Sequence, residues 1–426
     1  MNVTFCAYDL PDYVGGPNTW LRRILPELRQ RGVEPRVLFL LYKKARSQDE
    51  YPTLTALRQA GFDCRAIPRP YYTEQQVRWL LEQLADDPPD VFVPNLALAG
   101  FYAARWVREA GIPTVGLLRA DNPFHLAVLD AFVAGDPAYR LSALVCVSRY
   151  LEHLARHRSP TDVVVARMPS AVPIPEKTAQ APAHQLRLMY SGRLVEVQKR
   201  ISEVTRALCQ VVHEVPGTVA DIYGEGKDRS AVERILRTHG AGAPVQLVGP
   251  VDSSAIQEHM LQHHVIVLLS DFEGLSVAVM EAMACGLVPV CLQMRTQFDE
   301  LVEDNVTGLV VQDRGDSFVA AIRRLREEPG LWERLSQAAR ARVEQEFSIQ
   351  VVADRWVELL QQLQGAATTR QQMAIPRQLD LPPVHRGLAN EDYRQPPAHL
   401  IPVALAQRLV RSLKNRLSRY AGLVRR

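Results

Sequence analysis

Several things are missing from this sequence, and each absence narrows the reading. No apolar run approaches the about 20 residues that a membrane-spanning helix requires, so no span is expected. Cys6, Cys64, Cys146, Cys209, Cys285 and Cys291 are scattered, with no CxxC pair. That argues against a disulfide framework and a zinc ribbon, and most of them sit in apolar runs, as reduced core thiols of a cytosolic protein do. The first residues, MNVTFCAYDLPD, lack a basic region and carry Asp9 and Asp12, unlike a secretory leader. There is no repeat of short period and no DxD-type acidic pair placed to hold a metal. His263 and His264 have no spacing partner for a metal site.

What is present is ordinary for a globular protein: 47% hydrophobic and 23% charged residues in a chain of 426. That length exceeds one ordinary core and implies two domains plus an appendage.

The most informative stretch is VIVLLSDFEGLSVAVMEAMACGLVPVCL, residues 265–292. VIVLL is a continuous apolar run that suits a buried parallel strand. A polar turn through Glu273 and Gly274 follows. LSVAVMEAMAC then reads as a helix stopped by Gly286, and VPVCL as the next strand. Such β-loop-α-β units place ligands at the carboxyl ends of their strands. The helix is apolar nearly all round and is expected to be buried, except that it carries Glu281. A lone buried carboxylate is costly unless something hydrogen-bonds to it. From Leu275 to Glu281 is about 9 Å along a helix, with free N–H groups of the helix start between the two carboxylates. An elongated ligand with phosphate in the middle and hydroxyls at both ends fits that spacing, as a nucleotide-sugar would. Alternatively, Glu281 caps a neighbouring backbone and Glu273 is a solvated turn residue.

The chain before this unit alternates strand and helix. VTFCAY (3–8) is a strand, and a helix opens at Pro17 and closes at Gly32. Gly15 and Gly16 lie at the turn between them, where glycine lets backbone approach a phosphate. RVLFLL, CRAI, DVFVP, TVGLL and ALVCVS read as further strands, with helices near 51–60, 73–86, 98–110 and 123–134. This alternation implies a parallel sheet covered on both faces, ending near residue 170. Asp9, Asn95, Arg119, Asp121 and Ser148 fall at strand ends, where either a ligand contact or a turn or cap is possible. Residues 170–185 hold three prolines without periodicity and read as an interdomain linker. The second domain opens with LRLMYSG (186–192) followed by GRLVEVQKR, whose Arg193 and Lys199 flank a turn into a helix and either form an anion site or lie on a solvated helix face. TVADIYGEGKDR (218–229) is a strand ending in a Gly224-Glu225-Gly226 turn. Helices at 316–328, 331–346 and 348–364 close the domain.

Glu273 and Glu281 form an E-x7-E pattern, and EGLSVAVMEAMACGLVPV resembles the signature of the retaining GT-B glycosyltransferases of family four almost throughout. SGRL…K resembles the same family's diphosphate clamp. The resemblance spans roughly residues 1–364 and is strongest over 186–311. It implies two Rossmann-like, doubly wound α/β domains facing a cleft, an acceptor-side domain over 1–170, a nucleotide-sugar domain over 186–345 and a crossover helix over 346–364. It further implies that Arg193 and Lys199 clamp the diphosphate and that Glu273 contacts the donor sugar. Glu281 would hold the ribose hydroxyls. Gly15, Gly16, Gly274, Leu275 and Ser276 would face the donor, and Val251, ending the strand VQLVGPV, would border the base. The sugar would move from a nucleoside-diphosphate donor to a glycan, lipid or small-molecule hydroxyl with retention and without metal or other cofactor. The sequence departs from the family at three places. A histidine common after the strand matching TVGLL is replaced by Arg119-Ala120-Asp121-Asn122, with His125 nearest. MPSAVP (168–173) lacks an Asn-Gly, and Thr296-Gln297 stands near a usual glycine pair. A GT-B glycoside phosphorylase and a non-catalytic sugar-nucleotide binding or scaffold protein are the alternatives.

The end of the chain differs in composition. Residues 365–400 are rich in Gln, Pro and Arg without hydrophobic period, which predicts a flexible linker. Residues 401–426 carry seven Lys or Arg and no acid; subtracting them from the chain's +3 leaves −4 for residues 1–400. Leu405, Leu409, Leu413, Leu417, Tyr420 and Val424 recur between the cations at helical spacing. A basic amphipathic helix suits an anionic membrane surface, making the protein cytoplasmic and peripheral, or it packs on its own domains or a partner. No basic face elsewhere suggests nucleic acid.

Overall fold

The computed structural model of the protein describes residues 1–396, apart from 12, 13, 44, 46, 241, 253, 254, 274 and 294–299. The basic segment 401–426, Gly274 and the Thr296-Gln297 pair therefore lie outside the described residues.

Two parallel sheets organise the chain. In the first domain the strands are β1 (Asn2–Asp9), β2 (Glu34–Leu41), β3 (Asp63–Pro68), β4 (Val91–Pro94), β5 (Val115–Leu118), β6 (Ala143–Cys146) and β7 (Val164–Arg167). They run 3-2-1-4, and a parallel bridge from Phe92 to Thr114 carries the order on to 5-6-7. Their register is regular: Phe5 faces Val37 on one side and Val93 on the other. The near-continuous Val, Leu and Phe content of these strands follows from burial on both faces. In the second domain β8 (Leu186–Ser191), β9 (Thr218–Tyr223), β10 (Val245–Gly249), β11 (Val265–Leu268), β12 (Val288–Leu292) and β13 (Leu309–Val311) run 10-9-8-11-12-13, all parallel. Each sheet reverses its winding once, between β1 and β4 and between β8 and β11. The crevice at such a switch point is where open α/β sheets hold ligands.

Three apolar cores result. One fills the second domain and takes in Val172 and Ala179 from the connecting segment. The other two cover opposite faces of the first sheet. The chain crosses between domains twice, and the two passages are stitched together: the Val172 N–H donates to the Phe347 carbonyl at 3.0 Å and the Ile349 N–H to the Val172 carbonyl at 2.9 Å. The helix Ile349–Gly365 then lies on the first domain, where Trp356 meets Trp20 with ring centroids 5.5 Å apart. The six cysteines are free and buried. Among the described residues no helix is long and apolar enough to cross a membrane.

The structure corrects the expected flexible linker at 365–400. Up to residue 396 this segment is a strap laid across the first domain. Met373, Leu379 and Leu388 are buried in its core, and Ile375 and Leu381 pack against it. The strap runs over Gly111, where a Cβ would come within 2.8 Å of the Thr369 carbonyl oxygen. It is pinned by backbone bonds from Gln371 N–H to Ala110 and from Thr73 N–H to Tyr393. The buried Asp392 carboxylate accepts from Thr73 Oγ1 at 2.8 Å, Tyr102 Oη at 2.7 Å and Arg394 Nε at 2.6 Å. An extended segment has no repeating face, so its isolated apolar residues can each fill a separate niche without leaving any period in the sequence.

Limited trypsin digestion tests the strap. Arg370, Arg377 and Arg386 should survive in the native protein far longer than basic sites in the 401–426 segment. Asp392→Ala, which strands Thr73, Tyr102 and Arg394 without their shared acceptor, should cost about 3 kcal/mol and make those arginines cleavable. Rapid cleavage at Arg377 in the wild type would restore the flexible linker.

Candidate functional site

The residues at the two switch points meet across one cleft. On the first-domain side, β1 runs through a short turn into the helix Gly16–Gln30, with Gly15 as its N-cap. Positions 16, 19, 20 and 23 share one face of that helix, as their spacing dictates. Gly16, Thr19, Trp20 and Arg23 all line a cavity of about 540 Å³. A Cβ on Gly16 would meet nothing within 4 Å, so the glycine opens onto free space. From the second domain the same cavity is lined by Ser191, Gly192 and Arg193 after β8, by Tyr223, Gly224 and Glu225 after β9, by Pro250, Val251 and Ile256 after β10, and by Val277, Ala278 and Glu281 on the helix after β11.

That helix, Val277–Ala284, is not apolar and buried on every side. Val279, Met280 and the residues from Ala282 onward are buried, while Val277, Ala278 and Glu281 form a narrow face on the cleft. Among the described residues Glu281 caps no neighbouring backbone. Its carboxylate pairs with the Arg23 guanidinium of the opposite domain at 2.5 Å, with both side chains under one-fifth exposed. Ser276 is the N-cap residue of the helix, and Leu275 packs half-buried against the domain core.

Glu273 lies beside the basic pair expected from the sequence. Lys199, 9% exposed, donates from Nζ to Glu273 Oε1 at 2.5 Å. Gln198 donates from Nε2 to the other Glu273 oxygen at 3.3 Å and to the Phe272 carbonyl at 3.1 Å, while its own Oε1 accepts from Arg193 at 2.9 Å. Arg193, Gln198, Lys199 and Glu273 thus form one hydrogen-bonded set. The turn that positions them is sharp: Glu196–Lys199 is a single helical turn, Arg200 takes a left-handed conformation (φ 50°), and a new helix starts at Ile201. Arg314 holds the next layer, donating to the Leu269 carbonyl at 2.8 Å and to Glu203 at 3.0 Å, and pairing with Asp271.

Gly224 and Gly226 do more than turn the chain. A Cβ on Gly224 would lie 1.9 Å from the Gly192 carbonyl oxygen, and one on Gly226 would lie 2.2 Å from that of Leu194. The two glycines let the loop after β9 press against the loop that carries Arg193. Sequence reasoning treated them as a plain turn and missed Thr19, Trp20, Arg23, Tyr223 and Glu225. The signal for the first three was there, in the i, i+3, i+4, i+7 spacing from Gly16.

The weaker candidates on the first-domain side divide. Arg119 and Asn95 come together, with the guanidinium donating to Asn95 Oδ1 at 3.1 Å and lying over the Trp20 ring at 4.5 Å. Burial lowers the Arg119 pKa to about 9. Burial and the Arg119 cation push His125 down to about 4, which keeps it neutral at neutral pH. Asp121 is exposed. Asp9 is structural: fully buried, it accepts from the backbone N–H groups of Thr53 and Leu54 at 2.9 Å, at the start of the helix Pro52–Gln59, and from Asn18 Nδ2 at 3.1 Å. Its acceptor-side assignment is therefore corrected, since every oxygen is committed within the domain. Ser148 likewise caps the helix Arg149–Arg158.

With this geometry in view, the comparisons fall into place. The sequence model of the glycosyl transferases group 1 matches residues 176–342, and that of a glycosyl transferase 4-like domain matches residues 15–182. Residues 176–342 of this protein belong to the group 1 glycosyltransferases. Among relatives of this chain, the glycogen synthase of Mycobacterium tuberculosis is 29% identical over 167 residues, 39% of this chain and 40% of that protein. The chain thus matches well under half of that relative's length. The lipopolysaccharide core biosynthesis glycosyltransferase LpsD of Rhizobium meliloti is 23% identical over 81% of this chain and 94% of its own. Two solved structures share the GT-B fold: Anabaena Alr3699/HepE in complex with UDP (TM-score 0.67, 16% identity, 85% of this chain and 100% of that one) and the apo lipopolysaccharide outer core galactosyltransferase WaaB (TM-score 0.65, 15% identity, 85% and 100%).

The reassignment of Asp9 has a measurable consequence. Asp9→Ala removes the acceptor of two helix-start N–H groups and of Asn18, and should lower stability by about 1–3 kcal/mol. The affinity of the folded fraction for nucleotide should not change. Calorimetry on folded Asp9→Ala protein decides, and a selective loss of ligand affinity with wild-type melting would return Asp9 to the site.

Proposed function

We propose that this protein is a retaining glycosyltransferase moving a sugar from a nucleoside-diphosphate sugar to an acceptor hydroxyl. The observation that carries this reading is the cavity at which both switch points meet, lined by Arg193, Glu281 and an apolar wall, with the Lys199–Glu273 pair tied to Arg193 through Gln198. Pro250, Val251, Ile256 and Tyr223 supply the wall for a nucleobase. Because Anabaena HepE was solved with UDP, uridine is the first base to test. The base wall favours a nucleotide-sugar donor over the free phosphate of a phosphorylase.

In this reading Arg193 and Lys199 stabilise the charge that grows on the departing diphosphate, together with the N–H groups at Gly274, Leu275 and Ser276. Such donors are worth most in a water-poor cleft. Gly15 and Gly16 face the diphosphate from the other domain. Glu281 accepts the ribose hydroxyls, for which Arg23 must give up or share its partner. Glu273 orients the donor sugar. Lys199 and Gln198 already hold both of its oxygens, which suits positioning better than nucleophilic attack. The anomeric C–O bond to the diphosphate breaks and the acceptor oxygen bonds to the same face of that carbon. The acceptor's proton passes to the leaving phosphate oxygen. Arg119 and Asn95 stand on the sugar and acceptor side, with Asp121 at its exposed margin. No metal or other cofactor enters these steps.

A thermal-shift series with UDP, ADP, GDP and their sugars should single out one base, since a ligand selective for the native state raises its melting temperature. Lys199→Ala and Arg193→Ala should each cost on the order of 2–4 kcal/mol of transition-state stabilisation with unchanged circular dichroism. Near-normal turnover in both variants would remove the clamp from the mechanism.

We further propose, from sequence alone, that residues 401–426 attach the enzyme to an anionic membrane surface from the cytoplasmic side and favour a lipid-linked acceptor. Each cation near such a surface is worth about 1 kcal/mol. The full chain should co-sediment with phosphatidylglycerol vesicles at low salt and a chain ending at residue 400 should not. Recovery of both in the supernatant would mean that the segment docks on protein.

A further inference from the structure

A second cavity lies on the same rim of the first sheet as the cleft. It measures about 750 Å³ and opens where β2 and β3 end, between Leu41 and Ser47 on one side and Pro68 and Tyr71 on the other. Its walls are rich in tyrosine: Tyr42, Tyr51, Tyr71 and Tyr393. Tyr393 belongs to the C-terminal strap, beyond the segments matched by either family model.

These rings form a ladder. Tyr8, at the end of β1, meets Tyr42 with centroids 5.3 Å apart. The Arg69 guanidinium lies 4.1 Å over the Tyr42 ring and 5.8 Å from that of Tyr393. Tyr393 stacks on Tyr71 at 5.3 Å and 29°. The ladder is braced by polar bonds. Glu391 Oε2 accepts from Tyr42 Oη at 3.2 Å and from Arg69 at 3.3 Å, and the Glu391 carbonyl accepts from Arg69 at 3.0 Å. The neighbouring Asp392 and the Thr73–Tyr393 backbone bond fix the strap there. Tyr71 and Tyr393 are each only half-buried, so both rings still present surface to the cavity.

A half-open pocket with aromatic walls, the cations Lys43 and Arg69 and the polar side chains of Ser47 and Gln48 has a specific chemical complement. A pyranose ring offers an apolar face of C–H bonds, which stacks on tyrosine, and an equator of hydroxyls, which bonds to charged side chains. A flat hydrocarbon would cover the lining cations Lys43 and Arg69 without offering them an acceptor. A bare anion would make no use of the rings. We propose that this pocket is a saccharide subsite that holds the acceptor's sugar residues, and that the C-terminal strap builds it. The proposal rests on the glycosyltransferase reading for its role as an acceptor site, and the ladder through Tyr8 points it toward the donor cleft. The polar bonds of Glu391 and Asp392 make Arg69, Tyr42 and Tyr393 one preorganised unit.

The test is saturation-transfer NMR on the full chain with maltose, cellobiose and N,N′-diacetylchitobiose, with and without saturating UDP, and UDP affinity measured separately by calorimetry. At least one disaccharide should show transfer to its ring protons, and UDP should not displace it. Tyr71→Ala and Tyr393→Ala should each weaken that disaccharide by about tenfold or more, as loss of an aromatic anchor does. Tyr393→Phe, which keeps the ring and the strap, should bind as the wild type does, and UDP affinity should be unaltered in all three. Absence of disaccharide binding beside normal UDP binding would overturn the subsite and leave the transferase reading standing. Displacement by UDP, or equal binding by wild type and both Ala variants, would also overturn it. Disaccharide binding without any nucleotide binding would keep the saccharide site and overturn the transferase reading.

Discussion

A parallel sheet ends all its strands on one edge, and this protein turns two such edges toward each other. Everything that can touch a ligand depends on that constraint. The loops after β1, β8, β9 and β10 and the helix after β11 all face the same gap because their strands run the same way. The contact that closes the gap is ionic: Arg23 of one domain reaches Glu281 of the other at 2.5 Å. A second inter-domain contact, at Glu300, is almost wholly shielded. Its carboxylate takes the Arg149 N–H, at a helix start, and the Arg167 guanidinium at 2.9 Å. Charges removed from water at a domain boundary are sensitive to geometry, because the loss of one partner leaves the other desolvated. The relative placement of the two sheets is therefore well specified near the second contact. At the first, where both side chains keep some exposure, exchange of partners with a ligand is cheaper.

The doubly wound fold was legible because its signals are local. Apolar runs between helical patterns gave the strands, and Gly32, Gly111 and Gly286 adopt the positive φ that ends a helix. The strand Val164–Arg167 and the helix Arg149–Arg158 were passed over, being short and rich in charge. In the candidate site, the family resemblance singled out Arg193, Lys199 and Glu273 separately, and only the fold shows that Gln198 and a direct Lys199–Glu273 pair join them. Spacing could not reveal that Glu281 faces an arginine 258 positions away. Nor could it show that Gly224 exists for the sake of Gly192, or that Asp9 is consumed by Thr53 and Leu54. Those facts belong to the tertiary contact, and the linear pattern carries only half of each. The strap failed for a different reason: an extended chain has no period for a sequence to display.

The chain's two crossings have a further consequence for how the molecule is made. The first domain is discontinuous. Residues 1–170 supply its sheet, but Trp356, Leu360 and Leu363 cover one face and Met373, Leu379 and Leu388 cover the other. Those residues are synthesised after the whole of the second domain. On the ribosome, the amino-terminal sheet must therefore wait with parts of both faces uncovered while more than a hundred intervening residues emerge. Contacts of such long sequence separation form late, and exposed apolar surface in the interval invites aggregation. The domain that begins the chain is the one that finishes folding last.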